Sequence, residues 1–432
     1  MTRLVQLKLY NFRIFERLSW EPSPKINFVA GDNGAGKTSI LEAIYYLSRN
    51  RSFRATSARE VINSNIASSK KDALKSDTNK NTSSAAKITP AMKQDASISS
   101  NIAPSMEDAL KSDTNKNLRG NDANIWAAFI ENDIAAGGEK NKQAVRSATN
   151  EGNIRIRADG SKIIEFNGAA QTSAAALAIR LPLVLAAPHN INMVEAEPRH
   201  RRSFLDAILF HTNPGYVQLY RDYSRCLKQR NKLLVDVAKN SANSSQLEHW
   251  DRQLADWGEQ MEVHRQTMLP LIIKPIEEVV EDWGLQQSSI EYYRGWDEDT
   301  SLAVALQEGY HKDLRYGSTR VGCHRADFSL MVGARAASRV LSLGQQKMLS
   351  LAFFCAAALV LRGEDGKINP LILLDDVVTQ IDAKNCNMLL EYLIKRENQV
   401  FITSTSNENL LKYNHQNKSS FWRIKQGKID LC

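Results

Sequence analysis

The residues best suited to chemistry form a glycine-rich segment near the start of the chain. The segment fits the pattern GxxxxGK(S/T), follows a predicted strand at 26–30 and precedes a predicted helix at about 37–47. Glycines in such a turn let backbone N–H groups surround phosphate oxygens, and the helix N-terminus adds positive potential. Lys37 would reach the β- and γ-phosphates of a nucleotide, and the Thr38 hydroxyl would bind Mg²⁺. The candidate ATP-binding residues are Gly31, Asp32, Asn33, Gly34, Ala35, Gly36, Lys37, Thr38 and Ser39.

A pair of acidic residues gives the second candidate site. Asp375 and Asp376 follow four apolar residues at 371–374, a pattern typical of a buried parallel strand that ends at the carboxyl edge of a sheet. Ligands of α/β proteins bind at that edge. We therefore expect Asp375 to hold Mg²⁺ through water, and Asp376 to act with Lys37 in catalysis by polarising an attacking water. For this segment taken alone, a strand that ends in a solvated turn is the alternative.

A third motif, at 341–347, stands at the start of a helix predicted to end near 361. Ser342 is a suitable N-cap and Gly344 frees the backbone at the helix start, which is a purely structural interpretation. Together with the other two motifs, the segment resembles the ABC-type signature LSGGQ. In that family the signature of one subunit caps the γ-phosphate bound by the other. The resemblance therefore implies contacts in trans for Ser342, Gly344 and Gln345.

Two shorter features fit the same family. Asp382 follows the acidic pair at the place where such ATPases carry the D-loop. Thr403 and Ser404 end the next predicted strand, where transporter ATPases carry a histidine. No NKxD motif occurs, which argues against a GTPase. The order of the motifs predicts an α/β fold: an ABC-type ATPase head with a P-loop, a mixed sheet flanked by helices, and an inserted helical lobe.

The patterns along the chain distribute these motifs over three parts. Residues 1–198 and 289–432 alternate strand and helix patterns and are predicted to be the N-terminal and C-terminal parts of the head. Residues 199–288 are predicted to be the helical lobe, punctuated by Pro214, Pro270 and Pro275. The predicted lobe helices lie at 202–210, 216–238 and 246–283, and short strands are predicted at 154–157, 163–166 and 400–403.

Residues 64–121 interrupt the head as a low-complexity insertion. No Phe, Tyr or Trp occurs between 54 and 125, so this segment cannot bury much surface. Residues 64–81 and 100–117 are nearly identical, which gives a repeat at an offset of 36 residues. Two copies are too few for a solenoid, and we expect the insertion to be a mobile loop. A basic tether for a partner is the alternative.

Composition excludes several classes of protein. The chain has 432 residues and a net charge of +8, with 43% hydrophobic and 24% charged residues. These values exclude collagen-like, mucin-like and wholly disordered proteins, and the mildly basic balance permits a polyanionic partner. The five cysteines are scattered and form no CxxC pair, so zinc and disulfide frameworks are disfavoured and a cytoplasmic location is expected. The longest apolar run, at 349–361, is too short to span a bilayer, so we expect a buried helix and no membrane partner.

Several local patterns together resemble the bacterial RecF family of recombination-repair ATPases, over nearly the whole chain outside the insertion. The resemblance implies an ABC-type ATPase that binds DNA and ATP, forms a homodimer when ATP is bound, and acts with RecO and RecR to place RecA at DNA gaps. Cys323 departs from the family, which has proline at this place. The patterns are 9–13, 34–38 with 41–44, 51–54, 198–202 with 204–206, Tyr223 with Leu227, Arg230 and Asn231, Gly322 with His324, Arg325 and Asp327, 342–347, and 374–376.

The expected function is ATP-dependent binding of single-stranded gaps and duplex DNA, with help in loading a recombinase at gaps. Asp376 stands where faster ABC ATPases carry Glu, so we expect slow hydrolysis that reopens an ATP-closed homodimer. Phosphate contacts need positive side chains on one face. Internal ion pairs or contacts with the nucleotide are the alternatives for such arginines. The candidate DNA-binding residues are Arg51, Arg54, Arg201 and Arg202.

Two other classes of function stay open at this point. An ABC transporter ATPase subunit predicts Glu at position 376 and a histidine after the strand at 400–403, and neither is present. A scaffold switched by ATP, whose helical lobe binds only protein, is not excluded by the motifs alone. DNA binding that weakens with salt separates this scaffold from the favoured function.

Overall fold

The computed structural model describes residues 2–63, 122–130, 149–171, 175–213, 215–363, 369–405 and 419–432. The predicted insertion at 64–121, with both copies of its repeat, lies outside the described residues, as does Pro214. The strands are β1 Arg3–Phe12, β2 Phe15–Trp20, β3 Ile26–Ala30, β4 Ala123–Ile130, β5 Thr149–Ile156, β6 Lys162–Phe166, β7 Ala169–Gln171, β8 Leu183–Ala186, β9 Ser288–Tyr293, β10 Asp327–Val332, β11 Arg335–Ala336, β12 Leu371–Leu374, β13 Val400–Ser404, β14 Ser419–Lys425 and β15 Lys428–Leu431. The helices are α1 Lys37–Arg49, α2 Ala175–Arg180, α3 Pro198–Thr212, α4 Tyr216–Ala238, α5 Leu247–Asp282, α6 Leu302–Glu308, α7 Tyr310–Tyr316, α8 Ala337–Val340, α9 Leu343–Arg362 and α10 Ala383–Lys395.

Six strands form a central sheet in the order β15-β14-β3-β13-β12-β8. Neighbours from β14 to β8 are parallel, and β15 lies antiparallel at one edge. The strands β3, β8, β12 and β13 are entirely buried, because both faces of the sheet are covered. In β12, for example, Leu373 belongs to one hydrophobic core and Leu374 to the other. The strands predicted at 26–30, 371–374 and 400–403 are thereby confirmed.

The register of this sheet brings three strand ends to one edge. Leu374, the last residue of β12, lies opposite Ile402 of β13, and Ile402 lies opposite Phe28 of β3. Because the three strands are parallel, the segments that follow them leave the sheet side by side. The glycine-rich turn, the acidic pair and the end of β13 therefore meet.

A second sheet, antiparallel and in the order β2-β1-β4-β5-β6-β7, shares a core with one face of the central sheet. The helix α1 contributes to this core, where Ile40 and Ile44 are fully buried together with Leu7 of β1 and Leu373 of β12. This packing fixes the helix and, with it, the glycine-rich turn at its start. The strands predicted at 154–157 and 163–166 are confirmed in β5 and β6.

The other face of the central sheet shares its core with the lobe helices and α9. The predicted lobe helices are confirmed as α3, α4 and α5. The helix α5 continues through Pro270 and Pro275, so the expectation that these prolines punctuate the lobe is wrong at both positions. Burial of Ile272 and Ile276 on the same helix compensates for the lost N–H donors. The lobe boundaries at 199 and 288 stay a prediction.

Among the described residues, α9 is the one helix that is long and apolar enough to cross a membrane, with a mean hydropathy of 1.4. It lies in the protein core, since 67% of that stretch is buried. Met348, Ala352 and Phe353 are among its buried side chains. The buried helix predicted at 349–361 is therefore confirmed.

A buried polar network joins α4 to the loop before β10. Arg230 Nη1 donates to Asp313 Oδ2 at 2.7 Å and to Thr319 Oγ1 at 2.8 Å, and the side chains of Arg230 and Asp313 are fully buried. His324 lies between Tyr223 Oη, 2.8 Å from its Nδ1, and the Thr319 carbonyl oxygen, 3.0 Å from its Nε2. Two of the sequence patterns, one on α4 and one around His324, therefore form one structural joint.

We expect this joint to make the protein less stable in acid. Burial is the main cause that lowers the pKa of His324 to about 4, against an ordinary value of 6.5. Between these values the unfolded chain binds a proton that the folded chain excludes, so stability present above pH 6.5 is lost as the pH falls toward 4. Between about pH 7.5 and about pH 5, the loss of unfolding free energy attributable to this group is about 2 kcal/mol. Urea unfolding at about pH 7.5 and about pH 5 measures it.

The control for this prediction uses two histidine variants. His324→Gln can donate to the Thr319 carbonyl and accept from Tyr223 without titrating, so it should show a smaller loss of stability in acid than the wild type. His249→Gln changes an exposed histidine of α5 and should behave as the wild type. Equal acid losses in the wild type and in His324→Gln would contradict the prediction.

Candidate functional site

The glycine-rich turn connects the end of β3 to the first residue of α1. Gly34 and Gly36 have φ values of 79° and 107°, a region that residues with a side chain disfavour. A Cβ at Gly36 would lie 2.6 Å from Cδ1 of Ile14, whereas a Cβ at Gly34 would meet nothing within 4 Å. Gly36 is therefore required by close packing against the turn between β1 and β2, while Gly34 borders open space.

The Lys37 side chain lies inside this turn, and the residue is only 8% exposed. Its Nζ donates to the carbonyl oxygens of Gly31 at 2.6 Å and Asp32 at 2.9 Å. Burial lowers the pKa of Lys37, and the carboxylates of Asp376, Asp375 and Asp32 act against this shift. The ammonium group is therefore held near the acidic pair. A bound phosphate could accept the hydrogen bonds that the ammonium group now donates to the two carbonyl oxygens.

Asp375 follows the last residue of β12 and is 4% exposed. Its Oδ1 accepts from Thr38 Oγ1 at 2.9 Å and from Thr403 Oγ1 at 2.8 Å. Burial raises the pKa of Asp375, and the two hydroxyl donors act in the opposite direction. The structure thus brings the two candidate Mg²⁺ ligands, Thr38 and Asp375, into direct contact.

Asp376 adopts a left-handed backbone conformation, with φ of 53°, as the chain leaves the sheet. Its backbone N–H donates to Thr403 Oγ1 at 3.0 Å. Its Oδ1 is buried and has no hydrogen-bond partner among the described residues. A buried carboxylate oxygen without a donor is costly. This atom is therefore suited to accept a hydrogen bond from a water or ligand that enters the site.

Lys37, Thr38 and Asp376 line an open cavity of about 420 Å³, which we call the P-loop cavity. Arg13 and Arg54 also line it. Arg13 has φ of 55°, and its guanidinium donates to both carboxylate oxygens of Glu42, a fully buried residue of α1. Glu42 also accepts from Ser52 Oγ. One carboxylate therefore fixes two turns beside the cavity: the turn between β1 and β2, and the arginine-rich turn at 51–54.

Sequence reasoning missed part of the wall of the P-loop cavity. One signal was available: Glu42 is an acid within an otherwise apolar stretch of α1, and a buried carboxylate requires a partner. The partner, Arg13, lies 29 residues earlier, so the pattern around Glu42 could not identify it. The missed cavity residues are Arg13, Ile14, Glu60, Ile62, Asn63 and Thr405.

The signature segment lies on the surface, at the start of α9. Ser342 Oγ accepts from the Gln345 N–H, and Gln345 Oε1 accepts from the Ser342 N–H at 2.9 Å, which confirms the predicted N-cap. Leu343 and Gly344 are exposed, and a Cβ at Gly344 would meet nothing within 4 Å. None of these four is among the described residues that line the P-loop cavity. A single chain therefore does not combine the two motifs in one cavity.

Asp382 caps α10 within the chain. Its Oδ1 accepts from the Asn385 N–H and its Oδ2 from Asn385 Nδ2, both at 2.8 Å. The segment before it is linked to the signature helix, because Lys347 Nζ donates to the Gln380 carbonyl oxygen at 3.3 Å. The D-loop position and the start of α9 are therefore mechanically connected.

The four candidate DNA-binding arginines occupy different places. Arg54 lines the P-loop cavity, and Arg51 lines another cavity. Arg201 makes a two-pronged pair with Asp327, at 2.7 Å from Nε to Oδ1 and 2.8 Å from Nη2 to Oδ2. Arg202 Nη1 donates to a backbone carbonyl oxygen at 2.7 Å. The pair at Arg201 favours an internal structural role over a phosphate contact, because the carboxylate already satisfies the guanidinium fork.

Comparison with known proteins adds independent information. The family described as RecF/RecN/SMC N terminal domain matches residues 3–426. The chain is 27% identical over 430 residues to the DNA replication and repair protein RecF of Shewanella sp. (strain MR-4), with 99% of each chain covered. It is 27% identical over 409 residues to the protein of the same name from Cellvibrio japonicus (strain Ueda107), with 94% of this chain and 93% of that one covered.

Solved structures share the fold. The recombination mediator protein RecF with ATP, from the RecFOR pathway, is 21% identical with a TM-score of 0.75, covering 100% of this chain and 98% of that one. An Smc head domain from Pyrococcus furiosus is 14% identical with a TM-score of 0.51, covering 100% and 96%. The predicted ABC-type ATPase head and the resemblance to the RecF family are confirmed.

Proposed function

Since this chain belongs to the family of RecF/RecN/SMC N-terminal domains, we propose that it is an ATP-dependent DNA-binding protein of recombinational repair and replication. Relatives of similar length carry the name DNA replication and repair protein RecF, and a solved relative is described as a recombination mediator with ATP. The observation that carries the proposal is the junction of Lys37, Thr38, Asp375 and Thr403 at one edge of a parallel sheet.

The residues of the P-loop cavity fit a nucleotide with Mg²⁺. Gly34 borders open space, as a turn that wraps phosphate groups requires, and Asp376 offers a buried oxygen without a donor. Backbone N–H groups at 31–39 and the Lys37 ammonium would hold the phosphates of ATP, and Thr38 with Asp375 would hold Mg²⁺. When bound, Mg²⁺ neutralises phosphate charge. Asp376 would orient the attacking water by accepting a hydrogen bond from it.

We further propose that the signature acts between two copies of the chain. Ser342, Gly344 and Gln345 are exposed at the N-terminus of α9, where the helix dipole favours an anion. They would cap the γ-phosphate bound by the other copy, with Asp382 at the same interface. ATP would then close a homodimer, and slow hydrolysis would reopen it. Slow turnover follows from Asp376, whose carboxylate is one methylene shorter than the Glu of faster ATPases.

Gapped, single-stranded and duplex DNA are the proposed nucleic-acid partners, and RecR with RecO are the proposed protein partners, because a similar solved protein belongs to the RecFOR pathway. A cytoplasmic location is proposed with them. We also propose the division into a head at 1–198 and 289–432 and a lobe at 199–288.

DNA-binding anisotropy on a labelled gapped duplex tests the proposal. We expect binding about tenfold tighter with ATP than with ADP, because closure of the dimer couples the two sites. Binding should also weaken steeply as salt rises, since neutralised phosphates release counterions. The two nucleotides and a salt series are measured on the same protein preparation.

The other outcomes identify the alternatives. Equal DNA affinity with ATP and ADP would leave a DNA-binding ATPase without an ATP-closed clamp. No DNA binding at low salt would favour a scaffold switched by ATP, or an insertion that blocks the DNA-binding surface. Deletion of 64–121 decides between these two, because binding returns only if the insertion blocked that surface.

A further inference from the structure

A second cavity, of about 600 Å³, lies beside the P-loop cavity. The arginine-rich turn forms a wall shared by both, because Arg54 lines the P-loop cavity while Arg51 and Phe53 line the second cavity. The second cavity is also lined by β8, by the first turns of α3 and by α9. It therefore touches the head, the lobe and the signature helix, and the function proposed above does not use it.

The second cavity has a one-sided charge. Three arginines and two histidines line it, and none of the described residues that line it is Asp or Glu. At the N-terminal end of α3, Arg199 pairs with the N-cap residue Glu197 at 2.7 Å, so Arg49 and Arg51 are the arginines of this cavity without a carboxylate partner among the described residues. The five cationic or imidazole groups are Arg49, Arg51, Arg199, His189 and His200.

Two arginines that line this cavity are not neutralised: Arg49, which is half-buried, and Arg51, which is exposed. No carboxylate among the described residues forms an ion pair with Arg49 or Arg51, and Arg49 Nη2 donates only to the Leu183 carbonyl oxygen, at 3.3 Å. Burial lowers the pKa of Arg49, and Arg51 lowers it further while Tyr45 opposes the shift. His211 has two buried ring nitrogens without a hydrogen-bond partner among the described residues, and burial, with the charge of Arg49, lowers its pKa. A half-buried arginine without an ion pair favours a compensating anion.

The floor of the cavity is apolar. Phe204 and Ile208 of α3 and Phe354 of α9 line it. On the wall, Phe53 and His189 stack with ring centroids 5.7 Å apart and planes 14° apart. The volume falls in the range of about 300 to 1,000 Å³ that small-ligand sites occupy. A matching ligand therefore combines an anionic group for Arg49 and Arg51 with a flat apolar group for the floor.

We propose that the second cavity binds a nucleoside phosphate, with the phosphate at Arg49 and Arg51 and the base against the aromatic floor. Guanidinium forks are suited to phosphate, and aromatic rings to a base. Two sources share this chemistry: a free nucleotide, and the 5′-phosphorylated end of a DNA strand. Because the arginine-rich turn separates the two cavities, a ligand in the second cavity contacts the same turn that presents Arg54 to Asp375.

Calorimetric titration with AMP tests the proposal, because AMP lacks the β- and γ-phosphates that a P-loop lysine contacts. We expect one equivalent of AMP per chain, with affinity reduced about tenfold or more in Arg51→Gln. Lys37→Arg should bind AMP as the wild type does, and Arg225→Gln, which changes an exposed arginine of α4, serves as the surface control. His200→Gln is a second cavity variant, and it should also weaken AMP binding.

Competition identifies the source of the phosphate. Displacement of AMP by a 5′-phosphorylated oligonucleotide, but not by its 5′-hydroxyl form, identifies a strand end, and displacement by neither identifies a free nucleotide. Loss of AMP binding in Lys37→Arg, unchanged binding in both cavity variants, or displacement by a glutamate-rich peptide alone would overturn the proposal. MgATP binding, measured on the same variants, reports separately on the P-loop cavity.

Discussion

Replacing Lys37 with arginine is expected to reduce ATP turnover by about 100-fold or more, while ATP affinity stays within about tenfold of the wild type. The Lys37 ammonium fits between two carbonyl oxygens of the turn, at 2.6 Å and 2.9 Å, and the residue is only 8% exposed. A guanidinium is planar and larger, so it keeps the positive charge but cannot occupy the same point. A positive charge near the phosphates is enough for ATP to bind. Stabilisation of the transition state also requires that the charge lie at the correct point.

Phosphate release measures ATP turnover by the Lys37 variant. Equilibrium binding of a fluorescent ATP analogue measures its affinity. Lys274→Arg makes the same change at an exposed position of α5 and should match the wild type in both assays. Turnover at the wild-type rate in Lys37→Arg would remove Lys37 from the catalytic role. A parallel loss of binding and turnover would instead assign it to ground-state binding.

The elements around the P-loop were predictable because their signals are local. An apolar strand, a glycine-rich turn and an amphipathic helix occur in succession, so β3 and α1 could be predicted from one short stretch. In contrast, Pro270 and Pro275 carry a local signal for interruption, and the structure keeps α5 continuous. Packing of α5 in the core keeps the helix continuous at these prolines, and a local sequence pattern does not reveal such packing.

The site itself was predictable only where both partners of a contact belong to recognisable motifs. Thr38 and Asp375 were predicted as a pair, and they are 2.9 Å apart. Thr403 was noted only as the end of a strand, because its contact with Asp375 depends on β13 lying beside β12. Arg201 and Asp327 each belong to a recognised pattern, but they lie 126 positions apart and neither pattern indicates the pairing, so the sequence could not distinguish that arginine from one available to DNA.

The motif residues that are proposed to act between subunits already have partners within one chain, with one exception. Ser342 and Gln345 cap α9, and Asp382 caps α10. Substitutions at these three positions would therefore mix a loss of helix stability with any effect on dimer closure. Gly344 is different, because a Cβ at this position would meet nothing within 4 Å, so an added side chain would disrupt no contact within the chain. It is the position where a substitution reports on the interface alone.

Replacing Gly344 with aspartate is therefore expected to abolish the ATP-dependent dimer without destabilising the chain. An aspartate in the first turn of α9 is favourable for the helix dipole, so the free energy of unfolding should change by less than about 0.5 kcal/mol. In a closed dimer the same carboxylate would face the γ-phosphate held by the other copy, and two anions in close contact without water repel strongly. We expect sedimentation velocity with ATP to show a monomer for the variant and a dimer for the wild type.

A matched control places the same charge at the same helix position elsewhere. Ala303 is exposed in the first turn of α6, so Ala303→Asp should leave both stability and ATP-dependent dimer formation unchanged. If Gly344→Asp formed the dimer with ATP as the wild type does, the signature would not contact the nucleotide of another copy. If it failed to dimerise but bound DNA with ATP-dependent affinity, closure of two heads would not be the cause of tight DNA binding. Only joint loss of the dimer and of ATP-dependent DNA affinity supports the ATP-closed clamp.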